Sequence, residues 1–354
     1  MPVNTSRTTY REHTDTENIL KLRQVLSTLP AFCKDYFRAI DSTTTTKTRI
    51  SYAYDIRIFF QFLLDENPAF KNYAMTDFSV DVLDQIKAVD LEEYMEYLKV
   101  YQNGDKTETN GERGLKRKIS ALRSFYAYYY KREMIHSNPT VLIDVPKIHD
   151  KSIIRLDTDE VALLLDYIEH CGDSLTGQKR VYYEKTKERD LAIVTLLLGT
   201  GIRVSECVGL DIEDVDFKNN GIKVTRKGGN EMVVYFGEEV EKALKRYLEV
   251  RAGITPLAGH EHALFYSAQR KRMGVQAVEN MVKKYSRQIT TTKKITPHKL
   301  RSTYGTALYQ ETGDIYLVAD VLGHKDVNTT KKHYAALDDA RRRQAATAVR
   351  LRED

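Results

Sequence analysis

The chain has 354 residues, 42% of them hydrophobic and 30% charged, with a formal net charge of +5. This composition excludes a disordered chain, and the length leaves room for two domains of ordinary size. The basic excess is compatible with nucleic acid but small, so the distribution of charge matters more than its sum.

Three scattered cysteines, Cys33, Cys171 and Cys207, give neither a disulfide framework nor a Cys-x-x-Cys knuckle, and they point to a reducing cytoplasm. The polar start lacks the apolar core of a secretory signal. The longest apolar run, "LAIVTLLLG" from Leu191, is well short of the roughly 18 residues a membrane helix needs. We therefore expect no membrane association.

Residues 1–29 read as an N-terminal extension, with a polar start and then a helix through "ENILKLRQVLSTLP". In "STTTTKTRISYAYDIRIFFQFLLDENP", Ile50, Tyr54, Ile58, Phe59 and Phe62 fall at helical spacing while Lys47, Arg49 and Arg57 decorate other faces. A short helix "DLEEYMEYLKVY" follows, and "QNGDKTETNGERG" reads as a turn-rich break. "LKRKISALRSFYAYYYKREMI" is amphipathic: Ile119, Leu122, Tyr126 and Tyr129 make the apolar stripe, and Lys116, Arg117, Lys118 and Arg123 the basic face. The first domain, residues 30–140, is thus predicted to be helical, with two basic helices.

Residues 141–154 carry no periodicity and read as a linker. Beyond it "LDTDEVALLLDYIEHC" starts a capped helix, Gly172 to Arg189 reads as a polar, basic insertion, and "ERDLAIVTLLLGTG" as buried helix. "IEDVDFKNNGIKVTRKGGNEMVVYFG" has β-branched segments separated by Asn-Asn-Gly and Lys-Gly-Gly, which predicts a small three-stranded antiparallel sheet. Helices resume to the end. The expected fold is mainly α in two domains, the second spanning residues 155–345 with a tail over 346–354.

Four fragments could carry chemistry. "GTGIRVSE" lacks the third glycine of a dinucleotide turn, which leaves Arg203 after a Gly-turn with Glu206 three residues on. Lys227 sits at a predicted hairpin tip, where an ammonium is either simply solvated or able to donate a proton to a leaving oxygen. In "ITPHKLRSTYGTALY", Pro297 occupies a helix start with Thr296 as cap, and His298 and Arg301 share a face beside exposed N–H groups, an arrangement that suits an anion. "VLGHKDVNTTKKHYAAL" holds His324 and, ten residues later, Tyr334, in what could equally be a capped surface helix. The histidines show no metal-ligand spacing, and no phosphate-binding Gly-rich loop with Lys-Ser/Thr is present.

Taken in order, these fragments resemble the tyrosine recombinase (phage integrase-like) family. Arg203 matches its first arginine, Lys227 its hairpin lysine, His298 and Arg301 its His-x-x-Arg pair, His324 its final histidine and Tyr334 its nucleophile. Thr48, Tyr52 and Asp55 in "TRISYAYDIRIFFQFL" and the helix ending at Asn138-Pro139 resemble the family's core-binding domain, a SAM-like helical bundle. Within the family the chain is most similar to Xer recombinases, and among them to the single-protein XerS-like form.

The resemblance implies a site-specific recombinase that forms a 3′-phosphotyrosyl intermediate, without cofactor, metal or ATP. His298 would accept the phenol proton, and Arg203, Arg301 and His324 would stabilise the phosphoryl oxygens. Lys227 would protonate the departing 5′ oxygen, and Glu206 would orient the site. The implied partner is double-stranded DNA with paired inverted binding arms, clamped between the two domains. Lys47, Arg49, Lys116, Arg117, Lys118 and Arg123 are the expected contacts, mostly to phosphates. A tetramer on DNA, a role in chromosome dimer resolution and an activating DNA translocase are further implications. A mobile-element integrase, a type IB topoisomerase and a non-cutting DNA-binding regulator are the alternatives.

Overall fold

A computed structural model of the chain describes residues 9–147, 153–226, 229–324, 326, 327 and 330. The chain divides into two compact units, Met1–Asp150 and Lys151–Asp354, and the architecture is mainly helical with small antiparallel sheets. No helix among the described residues is long and apolar enough to cross a membrane.

The first unit contains α1 (Tyr10–Leu26), α2 (Cys33–Ala39), α3 (Thr46–Glu66), α4 (Val82–Gln85), α5 (Ala88–Tyr97), strands β1 (Val100–Asn103) and β2 (Lys106–Thr109), and α6 (Glu112–Tyr130). Helix α3 starts where the Thr45 hydroxyl accepts from Thr48 N–H. It buries Ile50, Ala53, Ile56, Phe59, Phe60 and Leu63, which recur at three- and four-residue spacing. Helix α6 buries the stripe its sequence predicts, Ile119, Leu122, Tyr126 and Tyr129, with Phe125. The core between them is aromatic: Phe125 packs edge-on to Tyr36 and Tyr129, and Tyr129 donates its hydroxyl to the Phe32 carbonyl at 2.7 Å.

The segment read as a turn-rich break is instead a hairpin. Asn103 pairs with Lys106 around a two-residue turn in which Gly104 takes φ +61°, a conformation natural to glycine. Apart from Tyr101 the two strands are exposed, so no apolar alternation announced them.

The second unit contains α7 (Thr158–His170), α8 (Gly177–Thr200), α9 (Val204–Gly209), β3 (Val215–Asp216), β4 (Gly221–Thr225), β5 (Glu231–Tyr235), α10 (Glu238–Ala252), α11 (Val275–Ile289), α12 (Pro297–Thr312) and α13 (Ile315–Leu322). The three strands pair antiparallel in chain order, as the two turn signals predict. Helix α8 is the central element. Its run Leu191–Leu197 is buried, and α7, α10 and α12 pack around it.

From Gly177 onward, the region expected to be a polar insertion forms the first half of α8. Tyr183 anchors that half by donating to the carbonyls of Ile168, at 3.0 Å, and Glu169 at the end of α7. With only Tyr183, Thr186 and Arg189 turned inward, its sequence reads as polar although its backbone is helical.

Candidate active site

Helix α8 ends at Gly201 in the left-handed conformation, φ +62°, which redirects the chain so that Arg203 caps α9. The Glu206 carboxylate accepts from the Arg203 N–H and from its Nη1, both at 2.8 Å. One carboxylate therefore fixes both the helix start and the guanidinium, and it is only 7% exposed. Nη2 of Arg203 lies 3.3 Å from the Gly323 carbonyl oxygen.

Pro297 occupies the first turn of α12, where its missing N–H costs nothing. Thr296 holds the cap position, but its side chain makes no capping hydrogen bond; its carbonyl accepts from Lys299 and Leu300 instead. His298 is exposed at this start. Arg301, one turn on, is 4% exposed, and its guanidinium donates to the carbonyls of Gly201 and Leu322.

Helix α13 begins at Asp314, whose carboxylate accepts from the N–H groups of Tyr316 and Leu317, and ends at Gly323, φ +62°. The reversal lets His324 N–H bond the Ala319 carbonyl at 2.9 Å. The His324 ring nitrogen Nδ1 lies 2.7 Å from the Thr330 hydroxyl, a contact that fixes the ring's orientation. Arg226, just past β4, reaches the same helix end and donates to the carbonyls of Asp320 (3.1 Å) and Val321 (2.6 Å).

Three guanidinium groups thus converge on the carbonyl oxygens of residues 320–323. The aligned peptide dipoles leave partial negative charge at a helix C-terminus, which offsets the repulsion among the cations. Burial pushes the Arg226 guanidinium below the usual arginine range; Glu206 opposes this, Arg203 adds to it, and Asp320 opposes it. An array of forked donors held in place before any ligand arrives suits a charge-dispersed phosphoryl group.

Of the residues singled out from sequence, the structure brings Arg203, Glu206, Arg301 and His324 to this helix end and places His298 at the start of α12. Lys227 and Tyr334 lie outside the described residues. Sequence reasoning passed over Arg226. The only signal for it was a second basic residue beside the hairpin lysine in "TRKGG".

The basic residues of the first unit separate into two groups. Lys47 and Lys116 are exposed. Arg117, half exposed, pairs with Asp55. Lys118 is not on the exposed face predicted for it: it is 5% exposed, with Nζ 3.3 Å from Asp55, itself 2% exposed. Burial pushes the Asp55 carboxyl up, against the pull of Lys118 and Arg117. Arg49 pairs with Asp41, and Arg123 turns back to the carbonyls of Thr140 (3.0 Å) and Ile143 (2.7 Å). Predicted as surface cations, Lys118, Arg49 and Arg123 all have partners within the unit.

Residues 155–341 match the phage integrase family. Tyrosine recombinase XerC of Caldanaerobacter subterraneus subsp. tengcongensis is 32% identical, over 90% of this chain and 86% of its own length. Tyrosine recombinase XerS of Lactococcus lactis subsp. cremoris is 31% identical, over 89% and 93%. The crystal structure of XerH site-specific recombinase bound to a palindromic difH substrate, a post-cleavage complex, shares the fold. Its TM-score is 0.66 over 97% of this chain and 90% of that one, at 20% identity.

Proposed function

The chain belongs to the phage integrase family and is a tyrosine recombinase, and from that premise we propose that it resolves chromosome dimers in the Xer manner with Tyr334 as its nucleophile. It is an enzyme that cuts and rejoins DNA site-specifically. The observation that supports this assignment of the site is the convergence of Arg203 and Arg301, with His324 beside them, on the end of α13.

In the proposed reaction the Tyr334 oxygen attacks the scissile phosphorus and the bond from phosphorus to the 5′ oxygen breaks. A phenol with a pKa of about 10 must lose its proton as it attacks, and His298 accepts it. Lys227 gives a proton to the departing 5′ oxygen, which leaves as a hydroxyl. Arg203, Arg301 and His324 stabilise the charge on the non-bridging oxygens, and Glu206 keeps Arg203 in place. The 3′-phosphotyrosyl bond retains the energy of the phosphodiester. Attack by a 5′-hydroxyl of another strand then rejoins DNA without a high-energy donor.

For organisation we propose an extension over residues 1–29, a DNA-binding domain over 30–140, a linker over 141–154, a catalytic domain over 155–345 and a tail over 346–354. The substrate is duplex DNA with paired inverted arms, bound in the cytoplasm by four protomers, with a DNA translocase as activator. Lys47, Lys116 and Arg117 contact backbone phosphates, because they are the expected contacts that remain accessible.

A nicked suicide duplex tests the chemistry. Incubated with EDTA, the wild-type protein is expected to form a covalent adduct on a denaturing gel, and Tyr334→Phe to form none. An adduct persisting in Tyr334→Phe would assign the nucleophile elsewhere. No adduct on a duplex the protein binds would favour a regulator that does not cut.

A further inference from the structure

Arg226 has no role in the reaction above, yet its placement is demanding. It directly follows strand β4, where its N–H donates to the Asn230 carbonyl at 2.8 Å and its carbonyl accepts from Gly229 N–H at 3.0 Å. The backbone of Arg226 therefore closes the hairpin tip while its side chain leaves the sheet for α13. There the two terminal nitrogens hold the carbonyls of Asp320 and Val321. The guanidinium lies against Gly323 so closely that a Cβ on that glycine would meet Nη1 at 1.6 Å. Nε is buried with no hydrogen-bond partner among the described residues.

A neutral donor could satisfy two helix-terminal carbonyls without desolvating a charge or orphaning a buried N–H. What arginine adds is a rigid fork that spans adjacent carbonyls, with a cation at the negative end of the helix. The same cap carries the Gly323 carbonyl held by Arg203 and the Leu322 carbonyl held by Arg301, and His324 follows it directly.

We propose that Arg226 is a positioning residue for strand cleavage: it fastens the β4–β5 hairpin to the C-terminal cap of α13, so that Arg203, Arg301 and His324 keep one geometry when the scissile phosphate arrives. It acts through those groups and not on the substrate. The inference rests on the recombinase reading of this site.

The test uses the full chain as wild type, Arg226→Ala, Arg226→Lys and Tyr334→Phe. Single-turnover cleavage of the suicide duplex at saturating protein is measured beside the Kd for the same duplex and the melting temperature. Arg226→Ala is expected to bind within about twofold of wild type and to cleave on the order of 100-fold more slowly, the scale of misplacing catalytic groups by about 1 Å. Millimolar guanidinium, which fills the vacated site, is expected to recover part of the rate; a merely structural loss would not respond. Arg226→Lys, which keeps the charge without the fork, is expected to fall between the two.

Cleavage by Arg226→Ala at the wild-type rate would overturn the proposal. So would weakened binding with an unchanged rate at saturation, which would make Arg226 a DNA contact. Should Arg226→Ala melt early, Arg226→Lys decides: slow cleavage at a wild-type melting temperature supports positioning, and wild-type cleavage refutes it. A wild-type protein that makes no adduct would refute the recombinase assignment instead, separately from any effect of Arg226.

Discussion

Arg301 donates to the carbonyl of Gly201, a residue one hundred positions earlier in the chain. This bond joins the first turns of α12 to the left-handed cap that ends α8, two residues before Arg203. With its second bond, to Leu322, Arg301 ties three helix ends into one frame. The guanidinium expected to meet the phosphate is thus also the group that builds the site around it.

Arg301→Lys tests that double role. An ammonium on a straight stem cannot span both carbonyls, so at least one buried acceptor loses its partner. The expected outcome is a cleavage rate lower by about 100-fold, the scale of losing one oxyanion-stabilising donor. Stability should fall by about 2 kcal/mol, the cost of one unsatisfied buried polar group. Suicide-duplex kinetics and urea melts read the two effects separately, and an unchanged urea midpoint would remove Arg301 from the frame.

Two lysines separated by one residue are expected to behave oppositely. Lys116→Ala, on the exposed side of α6, should weaken DNA binding and lower the slope of log affinity against log salt by about 1. Lys118→Ala leaves the buried Asp55 with Arg117 as its remaining cation and should cost about 3 kcal/mol of stability. Salt-dependent gel shifts and denaturant melts distinguish them. A reversed pattern would mean that Lys118 reaches DNA.

A third expectation concerns acid stability of the second unit. Lys293 Nζ lies 2.9 Å from Asp157 at the start of α7 and also pairs with Glu160. Its hydrogen bond holds the Asp157 carboxyl below the usual carboxylate range; burial opposes this, and the charges of Lys293 and Arg155 add to it. A depressed carboxyl stabilises the fold above its unfolded pKa, about 3.9, and that contribution is lost as pH falls through the lower folded value. Lys293→Ala should therefore be less stable than wild type at pH 7, with the gap closing toward pH 3. Melts at both pH values check this, and a gap that widens in acid would contradict it.

The sequence by itself determined the family, the mainly helical class and the three-stranded sheet. The apolar stripes of α3 and α6 and the paired turn signals are local patterns, and local patterns survive in one dimension. The order of Arg203, Lys227, His298, Arg301, His324 and Tyr334 is likewise a property of the chain. Tertiary structure alone decided which cations face inward. Lys118 and Arg117 have their acid in Asp55, more than sixty positions earlier, and burial of that acid demands a nearby cation whatever the helix periodicity suggests. It also anchored the polar first half of α8 to the end of α7 through Tyr183. Arg226 was invisible for the same reason, since its meaning lies in carbonyls 94 and 95 residues away, at the end of a helix whose dipole accepts the charge.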